Sequence, residues 1–138
     1  MERHVVTSFL KNGDYYLLLK RSSKVSSYKG KWAAVSGSVE ANESIIDTSL
    51  REIEEETGIS PMDVKLIAEG NAFRIPYTGF DWVVHPLLFI SRTLNISLNW
   101  ENDEASWRKR EEMNDLDTVP GLLDALDVLL NNFRQFVI

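Results

Sequence analysis

The chain contains no cysteine among its 138 residues. That removes disulfide staples and thiolate metal sites, and leaves carboxylate and imidazole as the side chains able to hold a cation. Histidine is scarce too: His4 and His85 stand alone, without ligand spacing, and receive no role. No apolar run reaches the length needed to span a bilayer. The longest, Trp82 to Ile90, is interrupted by His85 and Pro86. The opening residues, Met1-Glu2-Arg3-His4, lack the basic region and apolar run of a secretory signal. A cytoplasmic protein is therefore expected. Basic excess is also missing. The formal net charge is -6, which argues against a broad face for long nucleic acid. Repeats, low-complexity segments and linkers are absent.

What remains is the material of one ordinary domain, expected to span residues 1–138. Hydrophobic residues make up 43% of it, enough for a core without staples. Residues 5 to 10 read as a strand, Asn12-Gly13 as a hairpin turn, and Tyr15 to Lys20 as the returning strand. Residues 22 to 31 read as a loop. Trp32 to Val39 reads as a short strand broken by Gly37. Val64 to Phe73 and Asp81 to Arg92 read as strands joined through Ile75-Pro76-Tyr77-Thr78-Gly79. Residues 95 to 106 read as a polar loop, with Trp107 beginning a brief strand and Met113 to Leu116 forming one helical turn. Leu122, Leu123, Leu126, Leu129, Leu130 and Phe133 have the spacing of a C-terminal amphipathic helix. Strands and helices in this order suggest an α+β fold, a mixed sheet between helices.

One helix carries the chemistry. Asn42, Ser44 and Asp47 are candidate caps and Gly58 a stop, so a helix is expected from about Ser44 to Thr57. Ile46, Leu50, Ile53 and Thr57 form its expected buried stripe. Glu52, Glu55 and Glu56 fall on another side, three and four residues apart, where helix side chains are neighbours. Acidic helix faces are commonly no more than solvated surface. Crowded carboxylates repel, however, and a hard cation such as Mg²⁺ relieves them. Arg51, four before Glu55, is placed to orient a carboxylate.

The whole frame from Gly37 to Ile59 is Gly37, five residues, Glu43, seven residues, then Arg51-Glu52-Ile53-Glu54-Glu55-Glu56-Thr57-Gly58-Ile59. It resembles the signature of the Nudix hydrolases at every fixed position, over 23 of the 138 residues. Gly30 to Gly37 resembles the strand leading into that box. Glu101, Glu104, Trp107 and Glu111-Glu112 resemble a later family segment. The resemblance implies a Nudix-type α/β/α sandwich. It also implies a metal-dependent pyrophosphohydrolase that cleaves the P–O–P link of a nucleoside diphosphate joined to another moiety. A nucleotide-sensing module that keeps the fold without turnover is the alternative. Mg²⁺, with Mn²⁺ as substitute, is the implied cofactor. Gly37 through its carbonyl, with Glu52, Glu55 and Glu56, forms the implied metal set. Glu43 is expected to orient the others, and Glu54 to be a bystander.

The general base is left between a box glutamate, Glu52 first, and the later Glu101 or Glu104. Among basic residues, Arg21 is favoured for gripping phosphate and Arg74 is a second candidate. Tyr28, Phe73, Tyr77, Phe80 and Trp82 are candidates to stack a base. Pro76 and Tyr77 both fall where the family loosely tracks substrate, and they point to different substrates. A small-molecule nucleotide is the expected partner, a homodimer is left open as the assembly, and no membrane partner is expected.

Overall fold

The computed structural model describes residues 1–137, the last four by backbone alone. Its centre is a mixed sheet of eight strands. Strand β1 (Glu2–Asn12) and strand β7 (Phe80–Ser91) run parallel, and every other pairing is antiparallel. Each of these two long strands divides its outer edge between two shorter ones. β1 pairs with β4 (Val35–Ser38) along its first half and with β2 (Tyr15–Arg21) at its end. β7 pairs first with β6 (Phe73–Tyr77), then with β5 (Val64–Glu69). β2 also carries β3 (Trp32–Ala33) and β8 (Asn102–Arg108).

Alternation along the strands sends side chains to two cores. Val6, Leu10, Leu87 and Phe89 face helix α1 (Ile45–Thr57) and surround its fully buried Ile53. Phe9, Leu18 and Leu88 face helix α2 (Leu122–Val137), against Leu122, Leu126 and Leu129. The layering is therefore α/β/α. Ile53 is wholly enclosed, so Ile53→Ala would cost about 2–5 kcal/mol and loosen α1 from the sheet. Among the described residues no helix is long and apolar enough to cross a membrane.

Helix α1 begins as its caps predict. The Ser44 hydroxyl accepts from the Asp47 amide at 3.0 Å, and Gly58, with φ of 75°, closes the last turn by donating to Glu54. Its buried face differs from the expected stripe. Ile46 is exposed, whereas Thr48, Ser49, Glu52 and Glu56 are buried beside Ile53 and Thr57. The helix thus turns carboxylates, not only apolar groups, toward the sheet.

Four further expectations change. Residues 64 to 73 are not one strand: β5 ends at Glu69, and Phe73–Tyr77 forms β6, with Thr78-Gly79 as a two-residue hairpin turn. Pro76 is thus a strand residue opposite Asp81, tolerated because β6 pairs on one side only. The 95–106 loop ends early, since Asn102 to Ser106 belong to β8 and Trp107 lies near that strand's end. The segment from Trp32 is interrupted at Ala34, while Gly37 lies within β4. The helical turn expected at Met113 to Leu116 forms earlier, as a 3-10 turn at Arg110–Glu112.

Candidate active site

Gly37 on β4 faces the middle of α1. Its φ is not left-handed, so no unusual backbone angle calls for glycine here. The need is for space. A side-chain carbon at position 37 would overlap the Glu52 carboxylate.

Glu52 and Glu56, one turn apart on α1, point the same way. Glu101, just before β8, meets them from the other side. One carboxylate oxygen from each lies within 4.8 Å of the other two. Glu56 is 2% exposed; Asn102 Nδ2 donates to its Oε1 at 3.2 Å, and its Oε2 is buried with no hydrogen-bond partner. Burial, then the charges of Glu101 and Glu52, pushes the Glu56 carboxyl well above the ordinary carboxylate range. Burial raises Glu52 as well, against the pull of Arg51. A buried carboxylate oxygen without a partner, in an all-oxygen donor set, fits a hard divalent cation.

Arg51 fixes the near side of this cluster. Its Nε and Nη2 donate to Glu43 at 2.8 and 2.9 Å, and its Nη1 donates to Glu52 Oε1 at 2.7 Å. Thr48 adds a hydroxyl bond to Glu43 at 2.7 Å. The two-pronged bond from Arg51, then Thr48, lowers the Glu43 carboxyl to about 2. Arg51 therefore bridges Glu43 to Glu52. Its contact with Glu55 is a marginal 3.5 Å.

Several sequence candidates lie elsewhere. Glu55 is half-exposed and outside the three-carboxylate cluster. Glu104 faces Lys20 across the β2–β8 ladder and is exposed. Asn102 and Glu104 are two apart on one strand, yet they oppose the adjacent residues Arg21 and Lys20. The register shift between those residues turns Asn102 inward to Glu56 and leaves Glu104 outside. Arg74 is exposed on β6 and paired with Glu2. Tyr77, also exposed, packs against Tyr28, Phe80 and Trp82.

Arg21 does reach the site region. It is half-buried and donates from Nε to the Ser27 carbonyl at 2.9 Å, and more weakly to the Ser27 and Ser36 hydroxyls. Burial lowers its pKa, partly offset by Glu56 and Glu101. Sequence reasoning missed Asn102. Nothing local distinguishes it, because its contact with Glu56 spans 46 positions.

A cavity of about 350 Å³ opens beside the cluster, with Glu52, Glu101 and Arg21 in its wall. Tyr28, Phe73 and Trp82 line it; Tyr77 and Phe80 do not.

A family model described as the NUDIX domain matches residues 1–128. The chain belongs to the Nudix hydrolases, as the frame from Gly37 to Ile59 implied. It is 32% identical to a protein named nucleoside triphosphatase NudI from Salmonella agona, over 81% of this chain and 85% of that one. Its fold is similar to that of a MutT protein from Methanosarcina mazei, with a TM-score of 0.77, 24% identity, and coverage of 95% and 94%. It is also similar to an Ap4A hydrolase from C. elegans, with a TM-score of 0.72, 18% identity, and coverage of 96% and 98%.

Proposed function

We propose that this hydrolase is a Mg²⁺-dependent pyrophosphohydrolase of nucleoside triphosphates and related nucleotides, cleaving a P–O–P link by attack of water at phosphorus. The observation that carries this reading is the convergence of carboxylate oxygens from Glu52, Glu56 and Glu101 within 4.8 Å of one another, with one Glu56 oxygen buried and unpartnered. The name of the Salmonella relative supports the triphosphate class.

Glu52 and Glu56 would hold the divalent cation, and the Gly37 carbonyl is the backbone group that the family frame would add. A cation held there would neutralise phosphate charge and acidify water. Arg51, locked by Glu43, sets the orientation of Glu52. Glu101 takes the proton of the attacking water. Asn99 Nδ2 donates to Glu101 Oε1 at 3.3 Å, which steadies the carboxylate and leaves Oε2 to accept that proton. Arg21, in the cavity wall, faces the anionic chain of the substrate, with Ser27 fixing its guanidinium.

The test is a panel of nucleotides assayed for monophosphate and pyrophosphate, with Mg²⁺ and with excess chelator. Cation-dependent turnover supports the reading. Tight nucleotide binding without turnover in Mg²⁺ or Mn²⁺ would instead make this a sensing module.

A further inference from the structure

Glu52 and Glu56 stand one turn apart on α1, yet they are held by different chemistry. Glu52 Oε1 accepts from a cation, the Arg51 guanidinium, at 2.7 Å. Glu56 Oε1 accepts from a neutral amide, Asn102 Nδ2, at 3.2 Å. Both partners in this second bond are buried, Asn102 at 6% and Glu56 at 2% exposure. A side-chain amide offers N–H donors and brings no charge. It therefore fixes one oxygen of a carboxylate without cancelling the negative field that attracts a divalent cation. The oxygen left over, Oε2, is the buried one without a hydrogen-bond partner.

The chain just before Asn102 adds a second connection. Residues 99 to 102 form a turn that leads into β8. Within it, Asn99 Oδ1 accepts from the Glu101 amide at 3.1 Å, and Asn99 Nδ2 donates to the Glu101 carboxylate at 3.3 Å. The Ser22 amide donates to the Glu101 carbonyl at 2.9 Å. These bonds secure Glu101 to its own turn and to the chain leaving β2. Asn102 is the next residue, and its bond to Glu56 carries the turn onto helix α1.

We infer that Asn102 is a positioning residue for the cation site: it turns Glu56 Oε2 toward the ion and holds the Glu101 turn at its working distance from the two helix carboxylates. This rests on the metal-dependent reading of the same site. The register shift between Lys20 and Arg21 has a use on these terms, because it places an inward side chain directly after Glu101. Groups that orient metal ligands are worth about 10–100-fold in metal affinity or activity.

The experiment begins with Asn102→Leu, which keeps the branched shape of the side chain and removes the donor. Calorimetric titration of the full chain with Mg²⁺ and with Mn²⁺, without nucleotide, should show affinity lowered by about 10–100-fold. Asn102→Ala should fall in the same range, so the result does not hang on how leucine packs. At saturating Mg²⁺, kcat should stay reduced while KM for the nucleotide holds, because the Glu101 turn is no longer tied to α1. Leu126→Ala, in the core between the sheet and α2, should lose stability yet bind Mg²⁺ as the wild type does, which separates positioning from general loosening. A double-mutant cycle gives a further measurement: in a Glu56→Gln background, Asn102→Leu should lower Mn²⁺ affinity little further, because the amide acts through Glu56. Wild-type affinity in both Asn102 variants overturns the inference, and so does a loss that is undiminished in the Glu56→Gln background. Cation-independent hydrolysis by the wild-type chain defeats the metal reading and this inference with it, an outcome distinct from the other two.

Discussion

Gly37 and Glu52 occupy touching space: the helix carboxylate lies directly against the strand's missing side chain. Strand β4 thereby sets how far Glu52 may advance toward Glu56 and Glu101. Gly37→Ala needs no forbidden backbone angle, so the fold should persist. The methyl would push Glu52 aside. Turnover should fall by about 10²-fold, the scale of losing a well-placed charged group from a site, while the melting temperature moves by a few degrees at most. Wild-type turnover in this variant would mean that Glu52 is not held where the chemistry needs it.

Glu56→Gln should lower turnover by orders of magnitude, since a ligand to the cation is lost. Glu54→Gln, on the exposed face, should be nearly silent. The same Glu56 variant should stabilise the cation-free protein at neutral pH. The folded-state pKa of Glu56 lies above the unfolded value, so its stabilising contribution is full below the unfolded pKa and is lost as pH rises through the folded one. The advantage of Gln over Glu should therefore grow from about pH 4.5 upward. Thermal melts in chelator across pH, with added Mg²⁺ raising only the wild type, measure this.

Glu101→Gln should cut kcat by about 10²–10⁴-fold with little change in cation affinity, the usual contribution of a positioned general base. Glu104→Gln is the matched control, removing the same charge from the exposed side of β8. If Glu101→Gln keeps its rate while Glu52→Gln is dead with cation bound, the base belongs to α1.

Glu43→Gln breaks the two-pronged bond to Arg51 and frees the guanidinium that orients Glu52. A loss of about 10–100-fold in activity or Mg²⁺ affinity is expected, as for other groups that orient metal ligands. The acid side provides a second measurement. The folded Glu43 carboxyl is lowered to about 2. Its contribution is present above the unfolded pKa and lost as pH falls through 2. The gap between wild type and variant should close in that window.

The chelator experiment needs reversal to be decisive. Activity should vanish with excess chelator and return with Mg²⁺ or Mn²⁺, because oxygen donors select hard cations. Persistent turnover without divalent cation would remove the role given to Glu52 and Glu56.

Helix α1 was legible because its signals are local. The Ser44 cap, the Gly58 stop and the four-residue spacing of Glu52 and Glu56 lie within one short stretch. Its orientation was less so. The apolar stripe suggested that Ile46 is inside, yet the sheet accepts Glu52 and Glu56 because Gly37 leaves room and Asn102 supplies a donor. Strand β8 was hidden by Asp103 and Glu104, whose charges read as loop but are those of an exposed strand. Pro76 concealed β6 in the same way, since a one-sided edge strand tolerates it. The approach of Glu101 to α1 depends on β2–β8 pairing across some 80 positions of chain, which no local pattern encodes.

The displaced register beside Arg21 makes residue counting an unreliable ruler. Asn102 opposes Arg21 and Glu104 opposes Lys20, so Asp103 is surplus to the ladder. Excising it would leave both partnerships intact, and the inward group would keep its address beside Glu56. The stretch between Glu101 and Trp107 can thus shorten by one without relocating the chemistry.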